Sequence, residues 1–140
     1  MYITMNSDYA LRAMMQLAAG GSNNTIPIAQ ISKSANIPES FLRKIIPRLQ
    51  RAGLLRTVRG NQGGISLARP ADSISILDII LPIEGNLGMH RCILNNDECE
   101  RKNDCNLYYI WQEIEIEVRQ ILAARSLEQL AAQYNPEKRI

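Results

Sequence analysis

The hydrophobic period of this chain changes twice between residues 28 and 68, and those changes limit the folds open to it. Ile28 and Ile31 share one helical face with Ala35 a turn later, and Asn36, Ile37 and Pro38 then break the pattern. A second helical pattern opens near Glu39, sets Leu42, Ile45, Ile46 and Leu49 on one side, and stops at Gly53. From Leu54 the period shortens to that of a strand. Residues 55–59 and 65–68 read as two short strands, and Gly60, Asn61, Gln62, Gly63 and Gly64 between them suit a tight reversal. Two short helices across a tight turn, followed at once by a hairpin, form a helix-turn-helix with a wing. Pro47 lies inside the second pattern, where proline removes a backbone hydrogen bond at a cost of about 3 kcal/mol. A kink or local widening is expected there. If the helix ends early instead, the residues able to reach bases narrow to 40–44.

Charge gives this region a partner. The net charge of the 140 residues is only +2, yet residues 1–71 carry nine Lys or Arg against Asp8 and Glu39, while residues 72–140 carry seven against twelve acids. No acid occurs between residues 40 and 71, a window that holds Arg43, Lys44, Arg48, Arg51, Arg56, Arg59 and Arg69. An ordinary solvated face mixes both signs, so an anionic partner is expected, and the motif makes that partner double-stranded DNA. Arg43, Lys44 and Arg48 on the second helix and Arg59 with Gly60 at the wing are the candidate contacts. Arg59 has the chemistry to enter a narrow minor groove; a phosphate contact alone is its plainer role.

The rest of the chain frames this unit. Residues 8–19 place Leu11, Met14, Met15 and Ala18 at helical spacing before Gly20 and Gly21. Ile76, Leu77, Ile79 and Ile80 make a short helix expected to end near Pro82. Residues 85–106 are polar and irregular. Beyond them, Leu107, Ile110, Trp111, Ile114, Val118, Ile121 and Leu122 recur at steps of three and four. A helix that long is most simply buried against its copy in a homodimer, with packing on its own domain as the alternative. Ser126 and Gln129 form a capping box for a last helix running to Tyr134. The expected fold class is mainly α with a small β-hairpin wing, a winged helix-turn-helix plus a long C-terminal dimerisation helix. Residues 1–83 are expected as the DNA-binding domain, 84–106 as a cysteine-containing cluster-binding loop, and 107–140 as the dimerisation helix and C-terminal helix. No apolar run reaches membrane-spanning length and nothing at the N-terminus marks export, so the expected compartment is the cytoplasm.

Cys92, Cys99 and Cys105 are separated by six and five residues among polar neighbours. An odd number cannot pair fully as disulfides, and the loop offers little apolar cover for inert thiols. Three thiolates converging on a metal or an iron–sulfur cluster account for them better, although neither common zinc pairs nor ferredoxin spacings match. A metal-free redox-sensing thiol group remains open.

Taken together, these residues resemble the Rrf-two family of winged-helix iron–sulfur transcriptional regulators. The resemblance is carried by Tyr9-Ala10-Leu11-Arg12-Ala13-Met14, Ile28-Ala29-Gln30-Ile31-Ser32, Phe41-Leu42, Leu49, Ala52-Gly53-Leu54, Val58-Arg59-Gly60 with Gly63-Gly64, and the three cysteines before Trp111. It implies a dimeric regulator, usually a repressor, whose promoter affinity depends on a two-iron or four-iron cluster. It also implies Cys92, Cys99 and Cys105 as cluster ligands, Ser40, Arg43 and Lys44 as recognition-helix positions, and Arg59 as the wing arginine. IscR-type members carry a histidine ligand where this chain has Tyr108, whereas NsrR-type members resemble it in having an aspartate at the position of Asp8. The resemblance therefore implies Asp8, reaching across from the other subunit, as fourth ligand. Capping its own helix or complementing its dipole is the other role for Asp8, and His90 is a second candidate ligand. IscR also carries an acidic residue where this chain has Arg43, so its target sequence does not transfer.

Two other classes remain. A small iron–sulfur electron-transfer protein would not need the basic window or the wing, and a cluster-free regulator would use the cysteines for zinc or thiol oxidation. No enzyme is expected, because one histidine without a phosphate loop or nucleophile motif leaves nothing to carry catalysis.

Overall fold

The structure is a computed structural model that describes residues 3–21, 23–88, 90, 92 and 99–133. Helix α1 (Met5–Ala19) buries Ser7, Ala10, Ala13, Met14 and Leu17. It begins three residues before the expected start at residue 8. The reason lies far away in sequence: the Glu84 carboxylate accepts hydrogen bonds from the Thr4 backbone N–H (2.9 Å), the Thr4 hydroxyl (2.8 Å) and the Ser7 hydroxyl. Thr4 is thus the N-cap residue, and the cap acceptor comes from another helix. The capping role considered for Asp8 is not realised; Asp8 stands within the first turn, where its charge complements the dipole.

Helix α2 (Ile28–Ala35) and helix α3 (Glu39–Arg51) form the helix-turn-helix. Asn36 makes the turn in the left-handed region (φ 54°), a conformation that asparagine tolerates better than most residues. Ser32 locks it from below: its carbonyl accepts the Ile37 N–H at 2.9 Å, and its hydroxyl donates to the Ile37 carbonyl at 2.6 Å. Helix α3 buries Leu42, Ile45, Ile46 and Leu49, the four positions its period indicates. It remains α-helical through Pro47, so neither the widening nor the early end expected there occurs. The tertiary contacts of those four side chains outweigh the missing bond.

Strands β1 (Leu55–Val58) and β2 (Gly64–Leu67) pair antiparallel from Leu55 opposite Leu67 to Val58 opposite Gly64. Arg59, expected at the end of the first strand, instead opens the loop. One further residue extends the sheet: Ile26 exchanges both backbone hydrogen bonds with Ile65, each 2.9 Å. This approach requires Gly64, since a Cβ there would lie 2.2 Å from the Ile26 carbonyl oxygen.

A 3-10 turn (Ala71–Ser73) leads to helix α4 (Ile76–Glu84), which a reciprocal Ser75–Asp78 capping box opens. Pro82, expected as its end, lies inside it, and the helix stops at Gly85 with φ 79°. A second 3-10 turn (Lys102–Asp104) precedes helix α5 (Asn106–Ala124), and helix α6 (Leu127–Ala132) opens on the capping box read from Ser126 and Gln129. Tyr134 lies outside the described residues.

The core joins α1 to α4, the wing and α6. Met14, Ile31, Leu42, Leu49, Ile65, Ile74, Ile79 and Leu127 are fully buried in one cluster. Leu127 is anchored by its N–H donating to Ile74 O at 2.7 Å. Helix α6, grouped by the sequence with residues 107–140, therefore packs in the core of the first-half domain. Helix α5 differs, with no buried residue. It touches its own domain along α4, with Arg119 Nη2 donating to Asn86 Oδ1 at 3.1 Å.

Candidate nucleic-acid interface and cysteine site

With four residues of α3 facing the core, the opposite side of the helix follows from the 100° step. Ser40, Lys44, Pro47 and Arg51 fall on one outward strip, and all are exposed. Arg43 and Arg48 flank it. Arg43 is held by Glu39 in the preceding turn through Nη2 at 2.6 Å and Nε at 3.1 Å. Arg48 Nη1 donates to Ile83 O at 3.1 Å, tying the recognition helix to the end of α4. Arg51 on the strip was not among the expected contacts, although the periodicity that found the core would have found it.

The wing, whose first strand contacts α3, brings a further exposed cation. Arg59 is exposed in a loop whose next residue, Gly60, adopts φ 110°, a value unfavourable to other residues. The Gly63 N–H closes the loop onto Gly60 O at 2.9 Å, and a Cβ on Gly63 would lie 2.4 Å from Val58 O. The Arg-Gly…Gly-Gly pattern is thus the requirement of a tight tip. Arg56 lies at the other end of β1, donating to Leu67 O at 3.3 Å.

Phe41 is a feature that period analysis missed, being an aromatic residue 42 % exposed on α3. Its ring meets that of Tyr9 on α1 at 5.7 Å between centroids and 59° between planes. Lys44 Nζ lies 5.8 Å from the Phe41 centroid, and Arg12 Cζ lies 5.5 Å from that of Tyr9. Arg12 is also ion-paired with Asp8. Asp8, on the first helix, is therefore connected through side-chain contacts to Lys44 on the second helix of the motif.

The cysteine site lies beyond Gly85. Cys92, Cys99 and Cys105 are free thiols, each half-buried. The Cys92 thiol is pushed above its ordinary value by burial, then by the charge and hydrogen bond of Cys99, with a smaller push from Cys105. A thiol whose ionisation is opposed by neighbouring thiols is one that a bound cation would relieve, which is the chemistry of a metal–thiolate site. His90 meets Cys92, its Nδ1 2.9 Å from Cys92 Sγ, and its ring is stacked on Trp111 at 6.0 Å. Among the described residues, no three His, Cys, Asp or Glu side chains stand together as one metal ion requires. Tyr108 sits at the first turn of α5, with Lys102 Nζ 5.6 Å from its ring centroid. Residues 93–98 of this loop lie outside the described residues.

A recognition helix with an exposed basic strip and a glycine-tipped hairpin beside it, both packed on the shared core, define a winged-helix DNA-binding protein. The chain belongs to the Rrf2 family, described as Iron-dependent Transcriptional regulator, which it matches over residues 3–133. It is 28% identical over 130 residues to the HTH-type transcriptional regulator IscR of Photorhabdus laumondii, covering 93% of this chain and 79% of that one. Among solved structures, CymR, the global cysteine regulator of B. subtilis, superposes with a TM-score of 0.78 at 27% identity, covering 96% of this chain and 99% of that one. T. potens IscR superposes with a TM-score of 0.77 at 23% identity, covering 100% and 93%, and supports the fold. The chain is thus a DNA-binding transcriptional regulator of this family, and among the described residues no helix is long and apolar enough to cross a membrane.

Proposed function

We propose that this chain is a cytoplasmic, homodimeric transcriptional regulator, a repressor, whose hold on promoter DNA is set by an iron–sulfur cluster at the cysteine loop. The observation that carries the DNA half is the exposed strip Ser40–Lys44–Arg51 together with an exposed Arg59 on the wing, within a window free of acids. Ser40, Arg43, Lys44 and Arg48 engage the major groove and its phosphates, and Arg59 with Gly60 engages the neighbouring minor groove or backbone. The uncovered apolar side of α5 supports the dimer, since Leu107, Ile110 and Ile121 are 57%, 47% and 59% exposed. Two copies related by a two-fold axis would suit a palindromic site.

Cys92, Cys99 and Cys105 would hold the cluster, with Asp8 of the partner subunit as fourth ligand. When bound, the cluster supplies a centre that responds to iron supply, nitric oxide or redox stress. The side chains of this chain carry the response. Drawing Asp8 away from Arg12 would disturb the Arg12–Tyr9–Phe41–Lys44 contacts and so the recognition helix. His90 holds the Cys92 side of the loop against Trp111 on α5.

Replacing all three cysteines by serine tests the sensing half. Loss of visible absorbance after anaerobic purification, with altered promoter affinity, is expected; unchanged affinity would remove the sensing role. A second reading, regulation by the thiols without a cluster, is supported by the likeness to CymR, a cysteine regulator. A colourless anaerobic protein whose DNA affinity follows thiol oxidation would favour it.

A further inference from the structure

The C-terminal end of α3 and the first turns of α4 border a wide-open cleft of about 580 Å³ lined by Arg48, Arg51, Arg69 and Asp78, with an apolar wall that includes Leu81 and Pro82. Three guanidiniums against one carboxylate leave the cleft net positive. The carboxylate is also engaged, because Asp78 Oδ2 accepts the Ser75 N–H at 2.9 Å and lies 3.8 Å from Arg69 Nη2. Arg48 is fixed at the wall by one of its guanidinium nitrogens, Nη1, which donates to Ile83 O. Arg69 is positioned by donating to Ser73 O. Arg51 makes no hydrogen bond or ion pair with any described residue. It also belongs to the outward strip of α3, so the cleft opens at the edge of the surface that faces the duplex.

We propose that this cleft is a binding site for a sugar-phosphate group. Guanidiniums on opposite walls suit the phosphate oxygens, which arginine meets in forked, charge-assisted hydrogen bonds. The Leu81 and Pro82 wall suits the carbon face of the sugar. The proposal rests on the duplex-binding reading, since the backbone of a duplex seated on α3 presents this group at the mouth of the cleft. A free nucleotide offers the same chemistry from a second source. Arg69 discriminates the site from general phosphate attraction, because it lies on the far wall and off the recognition helix.

The test compares duplex affinity against salt for the full chain and for Arg51→Gln, Arg69→Gln and Arg69→Lys, alongside titration of DNA-free protein with thymidine 3′,5′-bisphosphate followed by NMR. If the duplex supplies the group, each glutamine variant lowers the salt slope by about one, equally on specific and random duplexes, and the lysine variant restores it. Nucleotide binding that the glutamine variants abolish, with duplex slopes unchanged, assigns the site to a free nucleotide. An unchanged slope in folded Arg69→Gln, with no nucleotide binding, while the unmodified chain keeps steep salt-dependent duplex binding, overturns the cleft and leaves the DNA-binding reading intact. Failure of the unmodified chain to bind any duplex, with nucleotide binding retained, would remove that reading and keep the cleft.

Discussion

The recognition unit and helix α5 draw on similar side chains and treat them oppositely. In α3 every large aliphatic side chain is buried, from Leu42 and Leu49 at 0% exposure to Ile46 at 4%. In α5, with leucine, isoleucine, valine and tryptophan at comparable spacing, none is buried. The first region completes its core within one chain through α1, α4, the wing and α6. The second lies along α4 by one edge and leaves Leu107, Ile110 and Ile121 of its stripe exposed. A fold can therefore be self-sufficient where it meets DNA and incomplete along the helix proposed to meet its copy, which would let assembly change without unfolding the reader.

The largest expected effect lies on the complete side. Leu42→Ala should cost about 2–5 kcal/mol in denaturant unfolding, because the cavity opens in a close-packed core. A cost below 1 kcal/mol would mean that the core is looser than its burial indicates. On the incomplete side, Ile110→Glu should leave the helical circular dichroism of the domain intact but halve the mass seen by sedimentation. A variant that keeps its dimer mass would show that the stripe is not the seam.

A smaller effect tests the link that starts α1. Burial works to raise the Glu84 carboxyl, but hydrogen bonds from Ser7 and Thr4 outweigh it and hold the group below its ordinary 4.5. Its contribution to stability is therefore complete above that value and fades as pH falls through the lower folded-state value. Glu84→Gln should lose roughly 1 kcal/mol at neutral pH, the difference between a charged and a neutral acceptor. It should also flatten the melting temperature against pH below 4.5; an unchanged acid profile would contradict the assignment. Least of all, Asp8→Asn should cost at most about 0.5 kcal/mol of chain stability, as expected for a partly exposed i,i+4 pair with Arg12. A clear change in the visible spectrum of the anaerobic protein from the same substitution would single out Asp8 as a ligand; an identical spectrum and cluster lifetime would exclude it.

What could be read in advance follows the range of the interaction. The burial of Leu42, Ile45, Ile46 and Leu49 and the Ser126 capping box depend on neighbours three or four residues apart, and the spacing revealed them. The start of α1 could not be read, because its cap acceptor is Glu84, 80 positions from Thr4. Pairing at Ile26 left no period because it is one residue long, and its only trace was Gly64, explained at first by the hairpin alone. Pro82 misled because local cost predicted an end where the helix runs on to Glu84, and at Pro47 the alternative of an early end is likewise not realised, packing having carried both helices through. The cysteines were visible as a donor set. His90 was visible as a candidate beside them, but its stacking on Trp111 was not, since that depends on how the loop returns to α5.

The most direct test of the central claim is selection of duplexes from a random pool by the purified chain, prepared with and without iron, followed by affinity measurement against salt. Enrichment of a two-fold symmetric site, bound with a steep negative salt slope and with an affinity that differs between the two preparations, is the predicted result. No enrichment by either preparation, even at low salt, would contradict it.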